Sequence, residues 1–317
     1  MNIKDLQNTA QQRPIVIVGA AVGDIVLAID KLPLSGQDIA GRLLAQQIGG
    51  CAFNIARILS KLNLALLNGI PVGTGTWATT VENEMKTLKL PVSLRHLTKD
   101  NGWCLAFVEP DGERTFVSIE NGCECDWDQI SLKHFLIPEN SLVYLSGYEL
   151  AATSSTNLHN WILQIPDSCT FFVDLGPRLK DISPALMAQL LKKNILLTIN
   201  QDEIALLCGN GDSIKQVQTF IQHYPNITVI ARLGKQGAWL CQTDQEPLHV
   251  PTYEVTVIDT IGAGDAHCAG VIAGLSLGIP LADTITLGNQ IAAIMVSRLG
   301  VSNPPDWKDI IDFSLSH

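Results

Sequence analysis

The chain has 317 residues, enough for one large α/β domain or two modest ones around a sizeable core. Its formal net charge of −10 excludes a broad nucleic-acid footprint, which needs a basic face. An anionic ligand is still allowed, because backbone N–H groups at a helix start bind phosphate without lysines.

The apolar run at 14–22 ends in small residues like a secretory segment, but mixed charges precede it and Asp24 follows, so a buried first strand fits better. No uncharged run reaches the ~18 residues of a membrane span. Core strands are expected at 15–18, 142–145, 170–173, 195–199 and 227–231. Helices are expected at 53–62, 76–88, 156–164, 185–193, 203–208 and 213–224. This alternation predicts a mainly parallel sheet wrapped by helices, with strands covered on both faces.

Two stretches break the rhythm. Residues 33–48 lack helical periodicity, and the runs 103–109 and 114–120 flank Asp111-Gly112, a hairpin turn. Such pieces form a small β-layer over the strand ends. A β-rich run at 253–258 precedes a helical tail: one helix from Asp265 to about 278, another over 281–298, and a last one after Pro304-Pro305. No repeat or low-complexity linker divides the chain. The eight cysteines lack C-x-x-C or zinc spacing, and Cys123-Glu124-Cys125 is not read as a metal site. Reduced thiols of this kind point to the cytosol.

The chemistry concentrates in D-T-I-G-A-G-D at 259–265. Its glycines sit where a loop enters a helix, so the first N–H groups lack intrahelical partners and carry the positive end of the dipole. Gly262, Ala263 and Gly264 let a phosphate approach the main chain. Asp265, on the first helical turn, can take the proton of a hydroxyl that attacks phosphorus. The same residues also read as a tight turn and a dipole-favoured acid. No P-loop or complete G-x-G-x-x-G occurs, so a nucleotide needs another arrangement.

Gly49-Gly50 opens a helix that carries Asn54, which can donate to and accept from hydroxyls, and Asp24 follows the first strand, where ligands of parallel sheets collect. Turns and helix caps are the plainer readings of both. Asn200 and Glu203 share a helix face; an acid there can hold Mg²⁺ through water or simply complete a cap. The turn from Arg232 through Gly234 to Gly237 is a plain turn or a shelf for a flat base. A serine-hydrolase elbow at Gly274-Leu-Ser276-Leu-Gly278 is set aside, since only the terminal His317 follows it as a base.

Taken together, G-G-C-A-F-N at 49–54, N-Q-D-E at 200–203 and D-T-I-G-A-G-D-A at 259–266 resemble signatures of the ribokinase-like (PfkB) family of carbohydrate and nucleoside kinases. The resemblance runs through nearly the whole chain, and D-N-G-W-C-L-A-F-V-E-P-D-G-E-R-T-F at 100–116 looks most like bacterial sugar kinases that carry no named substrate. It implies a three-layer α/β fold in one catalytic domain over 1–317, with lid pieces at about 33–48 and 100–121. It implies transfer of the ATP γ-phosphoryl group to a primary hydroxyl of a small sugar, or of a nucleoside stacked on Trp103 or Phe53. Asp265 would be the base, Gly262, Ala263 and Gly264 the anion hole, and Asp24, Gly50 and Asn54 the sugar site. Asn200 and Glu203 would organise Mg²⁺, while Arg232, Gly234, Gly237 and Asn289 would border ATP. Asp259 and the Ile261 carbonyl stand where many members hold K⁺. The lid of many relatives also forms a homodimer. Arg232 departs from the Thr or Ser common in relatives. A non-catalytic sugar sensor on the same fold is the rival of another class, and it would need neither Asp265 nor the Asn200/Glu203 pair.

Overall fold

Alternate residues of the central strands enter opposite cores, and both cores are apolar. The computed structural model describes residues 3–119 and 122–317. Its strands are β1 (Ile15–Val18), β2 (Val22–Ala28), β3 (Arg42–Gly49), β4 (Leu66–Gly69), β5 (Pro71–Val72), β6 (Leu94–Arg95) and β7 (Trp103–Val108). They continue as β8 (Arg114–Ile119), β9 (Leu142–Ser146), β10 (Thr170–Asp174), β11 (Ile195–Asn200), β12 (Ile227–Arg232), β13 (Ala238–Cys241) and β14 (Leu248–Val250).

The large sheet runs β14-β13-β12-β11-β10-β9-β1-β4, parallel from β12 to β4, with β13 and β14 antiparallel at one edge. Ile17, Tyr144, Phe172, Leu196 and Ile230 join one core, packed with the helices Cys51–Lys61, Ala263–Ser276, Leu281–Val296 and Trp307–Ser316. Val16, Val143, Val173, Leu197 and Val229 join the other, with the helices Thr156–Gln164, Pro184–Leu190, Gln201–Cys208 and Ser213–Gln222. Helical crossovers thus cover both faces, as continuous apolar strands require. Among the described residues no helix is long and apolar enough to cross a membrane.

The five expected core strands form where the apolar runs lie. Four of them extend one residue further, to Ser146, Asp174, Asn200 and Arg232. Each added residue is polar and stands at the carboxyl end, where open α/β sheets bind ligands.

The expected β-layer is a four-stranded sheet, β3-β2-β7-β8, whose β2 and β7 are parallel. Within 33–48 only Arg42 onward is strand, and the hairpin's outer strand ends at Ile119. Glu120, expected in that strand, and residue 121 lie outside the described residues. Sequence periodicity missed β2, because Gly23 and Asp24 interrupt its apolar pattern. Asp24 lies opposite Gln47 on one neighbour and Cys104 on the other, so these three share a face.

The run at 253–258 is not a strand. Pro251 removes a ladder donor just beyond β14, and the N–H groups of Ile258 and Asp259 bond instead to the Val296 carbonyl at 2.7 and 3.2 Å.

The helices Ala263–Ser276 and Leu281–Val296 meet backbone to backbone. A Cβ at Gly270 would lie 2.6 Å from the Gly288 Cα, so neither helix can yield without moving the other. Gly270→Ala is expected to lower stability by about 1–3 kcal/mol, read as a lower urea midpoint at unchanged m-value.

Candidate active site

The loop before the helix Ala263–Ser276 turns on Gly262, whose φ of 72° is left-handed. A Cβ there would lie 2.6 Å from Val301 Cγ1. The first intrahelical bond runs from the Ala266 N–H to the Gly262 carbonyl at 2.8 Å. Earlier N–H groups, including those of Gly264 and Asp265, therefore have no acceptor within the helix.

Asp265 is 8% exposed and accepts from Asn54 Nδ2 at 2.8 Å. Asn54 Oδ1 accepts in turn from Arg57 Nη1 at 2.8 Å. Arg57 is fully buried, stacks over Phe53, and donates to the Ile48 carbonyl and to Glu84 Oε1. Glu84, Arg57 and Asn54 thus hold Asp265 through one continuous network. Burial pushes Asp265 up to about 6, against the hydrogen bond from Asn54 that favours its charge.

Beside this helix start lies a second cluster at the strand ends. Arg232 Nη2 pairs with Asp174 Oδ1 at 3.0 Å and stands 3.9 Å from Glu203 Oε2. Its Nη1 would be 2.5 Å from a Cβ on Gly264, so the guanidinium reaches the helix start only because that residue is glycine. Its buried Nε has no hydrogen-bond partner. Asn200 and Glu203 form a reciprocal cap: Asn200 Oδ1 accepts from the Glu203 N–H, and Glu203 Oε2 accepts from the Asn200 N–H. Burial, then the neighbouring Asp174, pushes Glu203 up to about 7.

Asp24, Gly50, Asn54 and Asp265 line one cleft of about 650 Å³ between the small sheet and the large one. Asp24 Oδ1 accepts from the Cys104 thiol at 2.9 Å, and burial raises its pKa. At Gly50, with φ of 97°, a Cβ would lie 2.7 Å from the Ala20 carbonyl oxygen. Trp103, Phe116 and Tyr148 supply aromatic walls. Phe53, expected as a platform, is instead fully buried in the core beneath Arg57. Glu149 accepts from Ser146 Oγ at 2.5 Å, and burial pushes it up to about 7.

The other expected site residues lie outside this cleft. Gly234 and Gly237 make the turn between β12 and β13, both at positive φ. Asn289 is buried, and its Nδ2 donates to the carbonyls of Val250 and Pro251 at 3.1 and 2.9 Å. Asp259 is 6% exposed; Oδ1 accepts from the Ile261 N–H at 3.0 Å and Oδ2 from the Gly300 N–H at 3.0 Å. Arg114, on β8, approaches Asp259 Oδ1 to 3.0 Å. Ser276 of the discarded hydrolase motif is buried near a helix end, its Oγ bonded to the Ala273 carbonyl.

Sequence reasoning missed Arg57, Glu84, Glu149 and Asp174. Asp174 and Ser146 could have been found as the first polar residues after predicted strands. Arg57 and Glu84 left no such signal, since each reads as an ordinary charge on an amphipathic helix.

The chain as a whole resembles known proteins. The description "pfkB family carbohydrate kinase" matches residues 12–308. The uncharacterized sugar kinase YegV of Escherichia coli (strain K12) is 36% identical over 309 residues, covering 96% of this chain and 95% of that protein. Ribokinase from Thermotoga maritima superposes with a TM-score of 0.78 at 21% identity, covering 96% and 99% of the two chains. Arabidopsis thaliana ribokinase, solved with ribose and ATP, gives 0.79 at 18% identity over 95% and 98%. At such identities these two structures establish the fold.

The raised Glu149 has a consequence for stability. The folded chain binds its proton more tightly than the unfolded chain does, so this contribution is complete below 4.5 and lost as pH rises through about 7. Glu149→Gln is expected to raise Tm at pH 8 relative to the parent. The gain should shrink towards pH 5 in paired thermal melts.

Proposed function

Because this chain belongs to the PfkB family of carbohydrate kinases, and is therefore a phosphotransferase with an alcohol group as acceptor, we propose that it moves the ATP γ-phosphoryl group to a primary hydroxyl of a small uncharged sugar. The observation that carries this reading is the position of Asp265. It borders the cleft and sits on the first turn of a helix whose initial N–H groups lack intrahelical acceptors.

In this reading Asp24, Gly50 and Asn54 hold the sugar hydroxyls. Asp265, ionised above about pH 6, takes the hydroxyl proton as the oxygen bonds to the γ-phosphorus and the bond to the β-phosphate oxygen breaks. The N–H groups at Gly262 and Gly264 receive charge on the migrating group, joined by that of Ala263 once it leaves the Thr260 carbonyl it meets at 3.2 Å, which is electrostatic stabilisation largely prepared before the reaction. Asn200, Arg232, Gly234, Gly237 and Asn289 border the nucleotide. A magnesium ion supplies further neutralisation of the phosphates when bound. The carboxylates of Glu203 and Asp174 suit a hard cation held partly through water, and each keeps unshared lone pairs. Among the described residues no cluster of three or more such side chains would hold a metal alone, so the phosphates would share it.

Potassium at Asp259 and Ile261 fits poorly, because the Arg114 guanidinium already stands at that carboxylate. Among the described residues the cleft is lined by the acids Asp24, Glu124, Glu149, Asp181 and Asp265 and by the cation Arg178. That balance disfavours a phosphosugar or sugar acid. The aromatic walls of Trp103, Phe116 and Tyr148 favour a nucleoside as the second reading.

The four-stranded sheet serves as the lid of a single catalytic domain. On its face away from Asp24, the opposed pairs Leu27–Leu43 and Leu105–Val117 leave Leu43 and Val117 exposed, a surface suited to a second copy. The eight cysteines, spread through the fold with no disulfide among them, suit a reducing cytosol.

A panel of pentoses, hexoses, sugar acids and nucleosides, mixed with protein and Mg·ATP and followed by ADP release, tests the reading; silence across the panel defeats it. Asp265→Asn is expected to lower kcat by about 10²–10⁴ with substrate affinity mostly kept. Unchanged turnover would remove the base assignment. Asp24→Ala should raise the KM for the acceptor far more than the KM for ATP, and the reverse pattern would refute its sugar-holding role.

A further inference from the structure

Asp259 is a buried carboxylate whose two oxygens clasp the loop that becomes the anion hole. Oδ1 receives the Ile261 N–H and Oδ2 the Gly300 N–H, both at 3.0 Å. Between these two anchors lies the Gly262 turn, filled from beneath by Val301, the neighbour of Gly300. The position of Asp259 therefore sets where the glycine turn lies. A desolvated carboxylate in this place needs a cation, since amide donors alone leave its charge uncompensated.

Among the described residues the cation paired with Asp259 is Arg114, at 3.0 Å from Oδ1. Arg114 is far away in sequence and belongs to the other layer. It opens β8 opposite Val108, four residues before Ser118, which lies opposite Cys104. Cys104 lies opposite Asp24, so the even-numbered spacing puts Arg114 on the same sheet face as Asp24. Gln47, opposite Asp24 on β3, makes a parallel tie: its Oε1 accepts from Ser302 Oγ at 3.5 Å, beside Val301. The small sheet thus reaches both loops that build the turn.

We propose that Arg114 is a positioning residue whose guanidinium supplies the positive charge Asp259 needs, so the phosphate-receiving turn keeps its shape without an inorganic monovalent cation. The proposal rests on the kinase reading for its catalytic consequence, but its charge-balance claim stands on the ion pair alone. It also makes the small sheet part of the anion hole's support: displacing β8 withdraws the counter-charge from Asp259.

The test compares parent, Arg114→Gln and Arg114→Lys in KCl, NaCl and tetramethylammonium chloride at equal ionic strength, by thermal unfolding and, with an accepted sugar, by turnover. The parent should melt at the same temperature in all three salts and turn over within about twofold. Arg114→Gln should lose about tenfold or more of kcat in tetramethylammonium and recover part of it in KCl or added guanidinium. Its Tm should also rise in KCl specifically, as binding to the folded state requires. Arg114→Lys should stay close to the parent. A parent that needs potassium for activity, or gains Tm from it alone, overturns the proposal. So does an Arg114→Gln variant that matches the parent in tetramethylammonium. If that variant does not fold, the parent's salt series decides. If no acceptor is phosphorylated, the kinase reading fails while the melting series still judges the ion pair.

Discussion

The structure depends on keeping one carboxylate ionised in a place that disfavours its charge. Asp265 lies at the floor of a cleft, largely removed from water, where burial pushes its pKa up. The amide of Asn54 offsets part of that penalty, and Asn54 is itself oriented by Arg57. Because Asn cannot turn without losing the guanidinium, the acid is presented in one geometry. The resulting pKa of about 6 leaves the group charged at neutral pH yet basic enough to receive a proton.

Around it the chain gathers acids and then brings cations from elsewhere. Asp174, Glu203 and Asp259 all lie near the start of the helix Ala263–Ser276, in a protein that is acidic as a whole. Arg232 arrives from the carboxyl end of β12 and Arg114 from the small sheet. Burial works against the Arg232 charge, but Asp174 foremost among the acids holds its pKa above the ordinary value. Charge balance at the helix start is therefore a property of several layers of the fold.

Much of the fold could be read from apolar periodicity. The five core strands and the long helices follow from runs that had to be covered on both faces. The errors have physical causes. The β-rich run at 253–258 forms no strand because Pro251 ends the ladder, and β2 was missed because Gly23 and Asp24 interrupt its apolar pattern. Strand ends were cut one residue short at Asp174, Asn200 and Arg232, since the rule that finds buried strands stops at the polar residue a binding cleft requires.

The site divides in the same way. Sequence alone determined the glycine-permitted turn, the acid on its first helical turn and the Gly-Gly entry to the Asn54 helix, because each rests on local backbone geometry within a few residues. Tertiary structure decided which charges stand together: Arg57 behind Asn54, Arg232 against Asp174 and Gly264, Arg114 against Asp259. It also withdrew Phe53 into the core and put Trp103 and Tyr148 on the cleft wall. Such pairings are set by sheet register and helix crossing over distances of many residues, and no local spacing encodes which guanidinium will reach which buried carboxylate.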